Sequence, residues 1–463
     1  MSALARWFHR RGDTVSGYDR TPSSLTAELE AEGIAIHYDD RPDQLPTDID
    51  MVIYTPAVPQ ELGEYQALQA RGVRMEKRSR VLGELTRGKR CIAVAGSHGK
   101  TTTSTMIAHL LSKAPCGCSA FLGGISKNFD SNLWIDAKSE YVVVEADEYD
   151  RSFLQLHPYM AVITATDPDH LDIYGDHKHM LEAYLQFANQ TEPDGRLFIK
   201  EGIFRTLDGE EFLEYGHEHH DNHEEHDHSQ LSTLNPRLSI QTYTARGIEA
   251  DYYAINVRTY NGNLFFDLRT PDGVLYDLEL DGTALFNVEN AVAASAVALS
   301  CGLDQHQLRH GLKTFAGVRR RFDYRIREKG LVYIDDYAHH PQEIRSTLES
   351  IRFLYPGKRV VGVFQPHLYS RTRDLADEFA DVLGTLDELI MMPIYPAREK
   401  PILGVTSSMV LRKVKGMSKY LCTPEQVLEL VPALCPDVVV TLGAGDIDRL
   451  VPRLEATLRE QML

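Results

Sequence analysis

Short, uninterrupted apolar runs recur along this chain between helix-like segments, and they limit the fold more than any other feature. Cys91 to Ala95, Tyr141 to Val144, Met160 to Ile163 and Val360 to Phe364 are apolar at consecutive positions, and Val438 to Thr441 is nearly so. A strand with one wet face alternates polar and apolar residues; one that does not alternate is covered on both faces, as in a parallel sheet between helices. Met51 to Tyr54 and Leu331 to Ile334 extend the series, and Ala3 to Arg10, Thr101 to Leu111 and Val288 to Leu299 read as helices. A chain of 463 residues exceeds one ordinary core. The expectation is an α/β protein of three domains, 1–88, 89–317 and 318–463, Rossmann-like at both ends with a mostly parallel central sheet.

The formal charge of −18 argues against nucleic acid or an anionic membrane as a general partner. No apolar run approaches the length of a membrane span or resembles a secretory leader, so a cytoplasmic protein is expected. The six cysteines show no C-x-x-C pair and read as reduced, mostly core thiols. From His217 to His228 six histidines lie among Glu, Asp and Asn. This reads as a solvated insertion, with a metal-binding tract as the alternative.

The chemistry centres on Gly96-Ser97-His98-Gly99-Lys100-Thr101-Thr102, set between an apolar strand and a helix. Glycines let backbone N–H groups approach phosphates, and the helix N-terminus adds its positive end. Lys100 can neutralise β and γ oxygens, and the Thr101 hydroxyl can hold Mg²⁺. A strict P-loop would need glycine where Val94 stands, so the loop is a shortened variant. Beyond it lie Glu145-Ala146-Asp147-Glu148-Tyr149-Asp150, Asp167-Pro168-Asp169-His170 and Phe286-Asn287-Val288-Glu289-Asn290. Then come Arg319-Arg320-Arg321-Phe322, Asp335-Asp336-Tyr337-Ala338-His339-His340-Pro341, Gln365-Pro366-His367-Leu368-Tyr369-Ser370-Arg371 and Gly443-Ala444-Gly445-Asp446-Ile447. Asp147, Glu148 and Asp150 could compete as metal ligands, but clustered loop carboxylates are usually solvated and they are read so here.

In this order the motifs resemble the Mur ligases, ATP-dependent amide-forming enzymes, and most closely the members that add alanine. The resemblance implies a central P-loop ATPase domain, a UDP-sugar domain before it and an amino-acid domain after it. It implies ATP and Mg²⁺, with UDP-N-acetylmuramate and L-alanine as substrates in peptidoglycan precursor synthesis, and a monomer or weak homodimer. Thr101, Glu145 and His170 would hold Mg²⁺. Gly96, Ser97, His98, Gly99, Lys100, Thr101, Thr102, Asn287, Asn290, Arg321 and Asp336 would hold the nucleotide. Catalysis would rest on Lys100, Glu145, His170, Arg321, Asp336 and His339, and substrate binding on Tyr337, His339, Arg371 and Thr55. Leu368 stands where many members have arginine, which leaves more of an anion contact to Arg371. Members of the family open with a strand and a glycine loop before Met-Ser-Ala-Leu-Ala, where this sequence begins. A missing beginning is therefore expected, or a short variant holding UDP through Thr55 and Pro56. A tripeptide-adding family member and a truncated nucleotide-binding pseudoenzyme are the alternatives.

Overall fold

A computed structural model describes residues 1–203, 234–235, 237–245, 250–397 and 399–462; the histidine-rich stretch 217–228 lies outside them. Contacts divide the chain into two compact units. The first holds 1–255, 268–275 and 289–311, and the second 256–267, 276–288 and 312–463. Residues 1–88 thus fall in the same unit as most of the central segment.

In the first unit the strands lie in the order Ser239–Thr244, Arg196–Lys200, Met160–Ile163, Arg90–Ala95, Tyr141–Glu145, Ser119–Ser126, Ser131–Trp134. All neighbours are parallel except the last pair. The apolar runs behave as their lack of alternation demands: Cys91 to Ala95 and Ala161 to Ile163 have no exposed surface. The helix Lys100–Ser112 is buried from Thr102 to Leu111, and its small Thr, Ser and Ala side chains permit that close approach. Within residues 1–88 there are two separate parallel pairs, Ser16–Tyr18 with Ala35–His37 and Val52–Tyr54 with Met75–Lys77, and not one sheet. The helix Ser2–Arg10 is tied down by Arg6, 2% exposed, which pairs with Glu28 and Glu32 and donates to Asn132 Oδ1 at 2.8 Å.

The second unit contains a sheet ordered Asp323–Glu328, Leu331–Asp336, Val438–Leu442, Val360–Phe364, Glu388–Met391, Ser418–Leu421, antiparallel only at its first pair. Val438 to Leu442 and Val360 to Phe364 are buried throughout. Three further strands, Tyr252–Tyr260, Asn263–Thr270 and Gly273–Leu280, follow one another through short turns, and their residues are shared between the units. In both parallel sheets the motif residues fall at or just beyond the carboxyl ends of strands, where such sheets leave crevices for ligands.

Candidate active site

The glycine loop leaves the Arg90–Ala95 strand through Gly96, whose φ of 138° suits only glycine. A Cβ there would collide with the Thr164 hydroxyl and lie 2.7 Å from the Ala165 nitrogen. Gly99, at φ 82°, caps the helix Lys100–Ser112 with no side-chain cap bond, so the helix start offers its N–H groups to an anion. The Ser97 hydroxyl donates to Asp167 O at 2.7 Å, and Thr164 Oγ1 donates to His98 O. Under the loop, Thr103 Oγ1 donates to Asn290 Oδ1 at 3.1 Å. Thr101 is half-buried at the helix start, and Thr102 is buried.

Lys100 Nζ donates to Gly96 O at 2.6 Å and to Glu148 Oε1 at 2.7 Å. Burial opposes its charge, but Glu148, Glu145 and Asp147 more than offset that, and its pKa is raised. The reading of Glu148 as a solvated carboxylate is corrected. It is 1% exposed, because its loop turns back through Phe153 N to Asp147 O at 2.8 Å and Tyr174 Oη donates to Glu148 O at 2.6 Å. Burial raises the pKa of Glu148, with Lys100 opposing. Asp150 is likewise paired, with Lys77 at 2.7 Å.

Glu145 accepts from Gly123 N at 3.0 Å, and its carboxylate covers Gly123 so closely that a Cβ there would overlap it. His170 Nε2 lies 3.9 Å from Glu148 Oε1 and 3.7 Å from Asp169 Oδ2, with its ring edge-on to Tyr149 at 5.2 Å. Glu148, Asp169 and His170 each offer a ligand atom, all within 4.8 Å of one another. Glu145 is outside that trio. Thr55 follows the strand Val52–Tyr54 and opens a turn in which Val58 N donates to its carbonyl at 3.1 Å. Nearby, Tyr54, Lys77, Arg80, Asp150 and Arg151 line a cavity of about 260 Å³.

In the second unit the strand Leu331–Asp336 ends in two buried aspartates facing opposite sides. Asp335 accepts from Thr441 Oγ1 at 2.7 Å and Arg320 Nε at 3.3 Å. Asp336 accepts from Thr347 Oγ1 at 2.7 Å and Ala338 N at 3.1 Å, while Gly443 N donates to Asp336 O at 3.2 Å. The Arg320 and Arg321 guanidiniums lie over the Tyr337 ring at 5.2 and 4.9 Å. Tyr337, His339, His367 and Tyr395 form a run of ring contacts between 5.3 and 5.8 Å. Arg371 Nη1 is buried and has no hydrogen-bond partner among the described residues. Asn287 donates from Nδ2 to Thr283 Oγ1 at 2.6 Å at the start of its helix.

His339 Nδ1 lies 3.1 Å from Tyr337 O, a contact in which only nitrogen can donate. Burial lowers its pKa despite Glu343, and the neutral tautomer this favours leaves Nε2 as an acceptor. Burial also pushes Asp336 up to about 6 from 3.8, against Thr347 and Arg321. The stability associated with its protonated form is present in full below 3.8 and lost as pH rises through about 6. Asp336→Asn is therefore expected to flatten the decline of stability across that window. Urea melts at several pH values check this, and a slope equal to the parent's would refute it.

Of the residues expected from sequence, Thr55, Gly96 to Thr102, Glu145, His170 and Asn290 belong to the first unit, and Asn287, Arg321, Asp336, Tyr337, His339 and Arg371 to the second. Sequence reasoning weighs Glu148 as a competing ligand and sets it aside as solvated, and it passes over Asp169, whose only signal is a carboxylate beside His170.

Three family models match consecutive stretches: Mur ligase family, catalytic domain, over 1–90; Mur ligase middle domain, over 94–298; and Mur ligase, glutamate ligase domain, over 320–445. A UDP-N-acetylmuramate–L-alanine ligase of Parabacteroides distasonis is 46% identical, covering 100% of this chain and 96% of that protein. One of the same name from Phocaeicola vulgatus is 44% identical with the same coverage. Among solved structures, the UDP-N-acetylmuramate–alanine ligase of Thermotoga maritima superposes with TM-score 0.81 at 25% identity, over 99% of this chain and 96% of that one. A murein peptide ligase from Psychrobacter arcticus, at 19% identity, 99% and 96% coverage and TM-score 0.67, shares the fold.

Proposed function

Because the chain belongs to the Mur ligase family, we infer that it is an ATP-dependent ligase joining L-alanine to the lactyl carboxylate of UDP-N-acetylmuramate, in peptidoglycan precursor synthesis. The observation that carries this is 46% identity along the whole chain to a ligase of that name. A cytoplasmic location and a monomer or weak homodimer complete our reading. No helix among the described residues is long and apolar enough to cross a membrane. We take 1–88, 89–317 and 318–463 as the UDP-sugar, ATP and amino-acid domains, a division supported by the ranges of the three family models.

A carboxylate does not react with an amine directly, because oxide is a poor leaving group. The lactyl carboxylate attacks the γ-phosphorus of ATP to give an acyl phosphate and ADP. The alanine amine then attacks the acyl carbon, and phosphate leaves through a tetrahedral intermediate. We assign nucleotide binding to Gly96 to Thr102 and Asn290, where Lys100 places its charge against the phosphoryl oxygens, and carry Asn287, Arg321 and Asp336 as nucleotide residues on the family resemblance alone. Thr101, Glu145 and His170 are the residues we assign to Mg²⁺; oxygen donors with one imidazole fit such an ion, which when bound neutralises charge on those oxygens. Tyr337, His339 and Arg371 receive the amino acid, and Thr55 faces the sugar nucleotide. His339 is suited to take the amine proton on Nε2, since its Nδ1 is committed to the Tyr337 carbonyl.

Phosphate release should require both UDP-N-acetylmuramate and an amino acid, with L-alanine best. Equal ATP turnover with and without the amino acid would overturn the reading, and a marked preference for the tripeptide would move the chain to the tripeptide-adding branch.

A further inference from the structure

The loop after Tyr141–Glu145 holds a carboxylate that the assignments above leave out. Glu148 is 1% exposed and bonds Lys100 through Oε1 at 2.7 Å, while its Oε2, also buried, has no hydrogen-bond partner among the described residues. Such an oxygen is costly to bury unless something positive reaches it. Two groups stand beside this carboxylate. His170 Nε2 is 3.9 Å from Glu148 Oε1 and 3.7 Å from Asp169 Oδ2, too far for hydrogen bonds. Two ligands held at about 2.1 Å from one ion are at most about 4.2 Å apart. The ligand atoms of all three residues lie within 4.8 Å of one another, so only a small contraction brings them onto one ion.

The groups are already partly fixed in place. His170 N donates to Asp169 Oδ1 at 2.8 Å, Tyr149 packs edge-on to the imidazole at 5.2 Å, and Tyr174 Oη holds the Glu148 carbonyl at 2.6 Å. We propose that Glu148, Asp169 and His170 form a divalent-cation site in the nucleotide-free protein, with Glu148 shared between the ion and Lys100. Two carboxylates and an imidazole suit Mg²⁺, and Mn²⁺ more strongly because of the nitrogen ligand. The site extends the metal assignment made above for His170, and rests on the ligase reading only for what the ion does in the reaction. Its expected use is to hold the ion beside the glycine loop before the nucleotide arrives, with Lys100 drawn to the same carboxylate.

The test uses the full chain without nucleotide and Mn²⁺ alone, followed by the loss of its free electron-spin signal and by calorimetry. The parent should bind Mn²⁺, and Glu148→Gln, Asp169→Asn and His170→Ala should each weaken binding about tenfold or more. Asp147→Asn removes the same charge from the same loop but from outside the trio, and should leave binding within about twofold of the parent. Melting curves establish that each variant is folded, and Glu148→Asp, which keeps the charge, should recover part of the binding. Absence of Mn²⁺ binding by the parent, an equal loss in Asp147→Asn, or binding untouched by all three variants would overturn the proposal. Alanine-dependent phosphate release, measured on the same parent preparation, reports on the ligase reading separately.

Discussion

Replacing Lys100 by methionine is expected to lower kcat by about a hundredfold or more, and to destabilise the protein as well. The first effect follows from removing the charge that meets the transferring phosphoryl group. The second follows from Glu148, which is 1% exposed and bonds Lys100 at 2.7 Å. Without the ammonium a buried carboxylate is left uncompensated, and breaking such a pair typically costs about 3–5 kcal/mol. Burial already raises the Glu148 pKa, so the loss deepens as pH rises and the carboxyl is forced to ionise. The double variant Lys100→Met/Glu148→Gln should regain most of the stability and none of the activity. Urea melts and phosphate-release assays check both halves. A kcat within a few-fold of the parent would remove Lys100 from the chemistry, and equal stability of the single and double variants would break its link to Glu148.

Arg371→Met should do the reverse, damaging catalysis while sparing the fold. Arg371 Nη1 is buried without a hydrogen-bond partner among the described residues, so the fold gains little from that nitrogen. Its positive charge also acts on His339, lowering that pKa further. A fork-shaped guanidinium with an unused buried donor suits a carboxylate or phosphate brought by the substrates. The expected result is a fall of about a hundredfold in kcat/KM for L-alanine, equivalent to about 3 kcal/mol of transition-state stabilisation. Stability should stay within about 1 kcal/mol of the parent, and could rise. A large loss of stability with kcat/KM unchanged would make Arg371 a structural residue.

The parallel sheets were legible because their strands announce themselves: Cys91 to Ala95 cannot be half-wet, and the structure leaves them no exposed surface. The glycine loop was legible for a related reason, since Gly96, Gly99 and Lys100 are neighbours in sequence and need only local geometry to meet. The strands from Tyr252 to Leu280 were not. A polar residue is buried among them through partners on neighbouring strands: Asp267 accepts from the exposed Asn256 through Nδ2 and from Asp277 N, both at 2.8 Å. No periodicity of apolar residues records such pairs. Glu148 was misjudged for the same cause: a carboxylate among carboxylates looks solvated until Lys100 and Tyr174 are brought to it from elsewhere in the chain. Thr347, which fixes Asp336 at 2.7 Å, belongs to the helix Pro341–Leu354, which the sequence reading does not single out.

The paired aspartates that end the strand Leu331–Asp336 bear on how the enzyme could change over evolutionary time. Asp335 is bound on one side of the sheet by Thr441 and Arg320, and Asp336 on the other by Thr347. The segment Tyr337 to His340 therefore leaves the sheet from an anchor held on both faces, and any drift of its first residues breaks a hydrogen bond to a buried carboxyl. Such mutations are removed for loss of stability before their effect on chemistry is ever sampled. A lineage acquiring a different amine would have to do so by exchanging the side chains this segment and its neighbours present, while the backbone beneath them stays where it is.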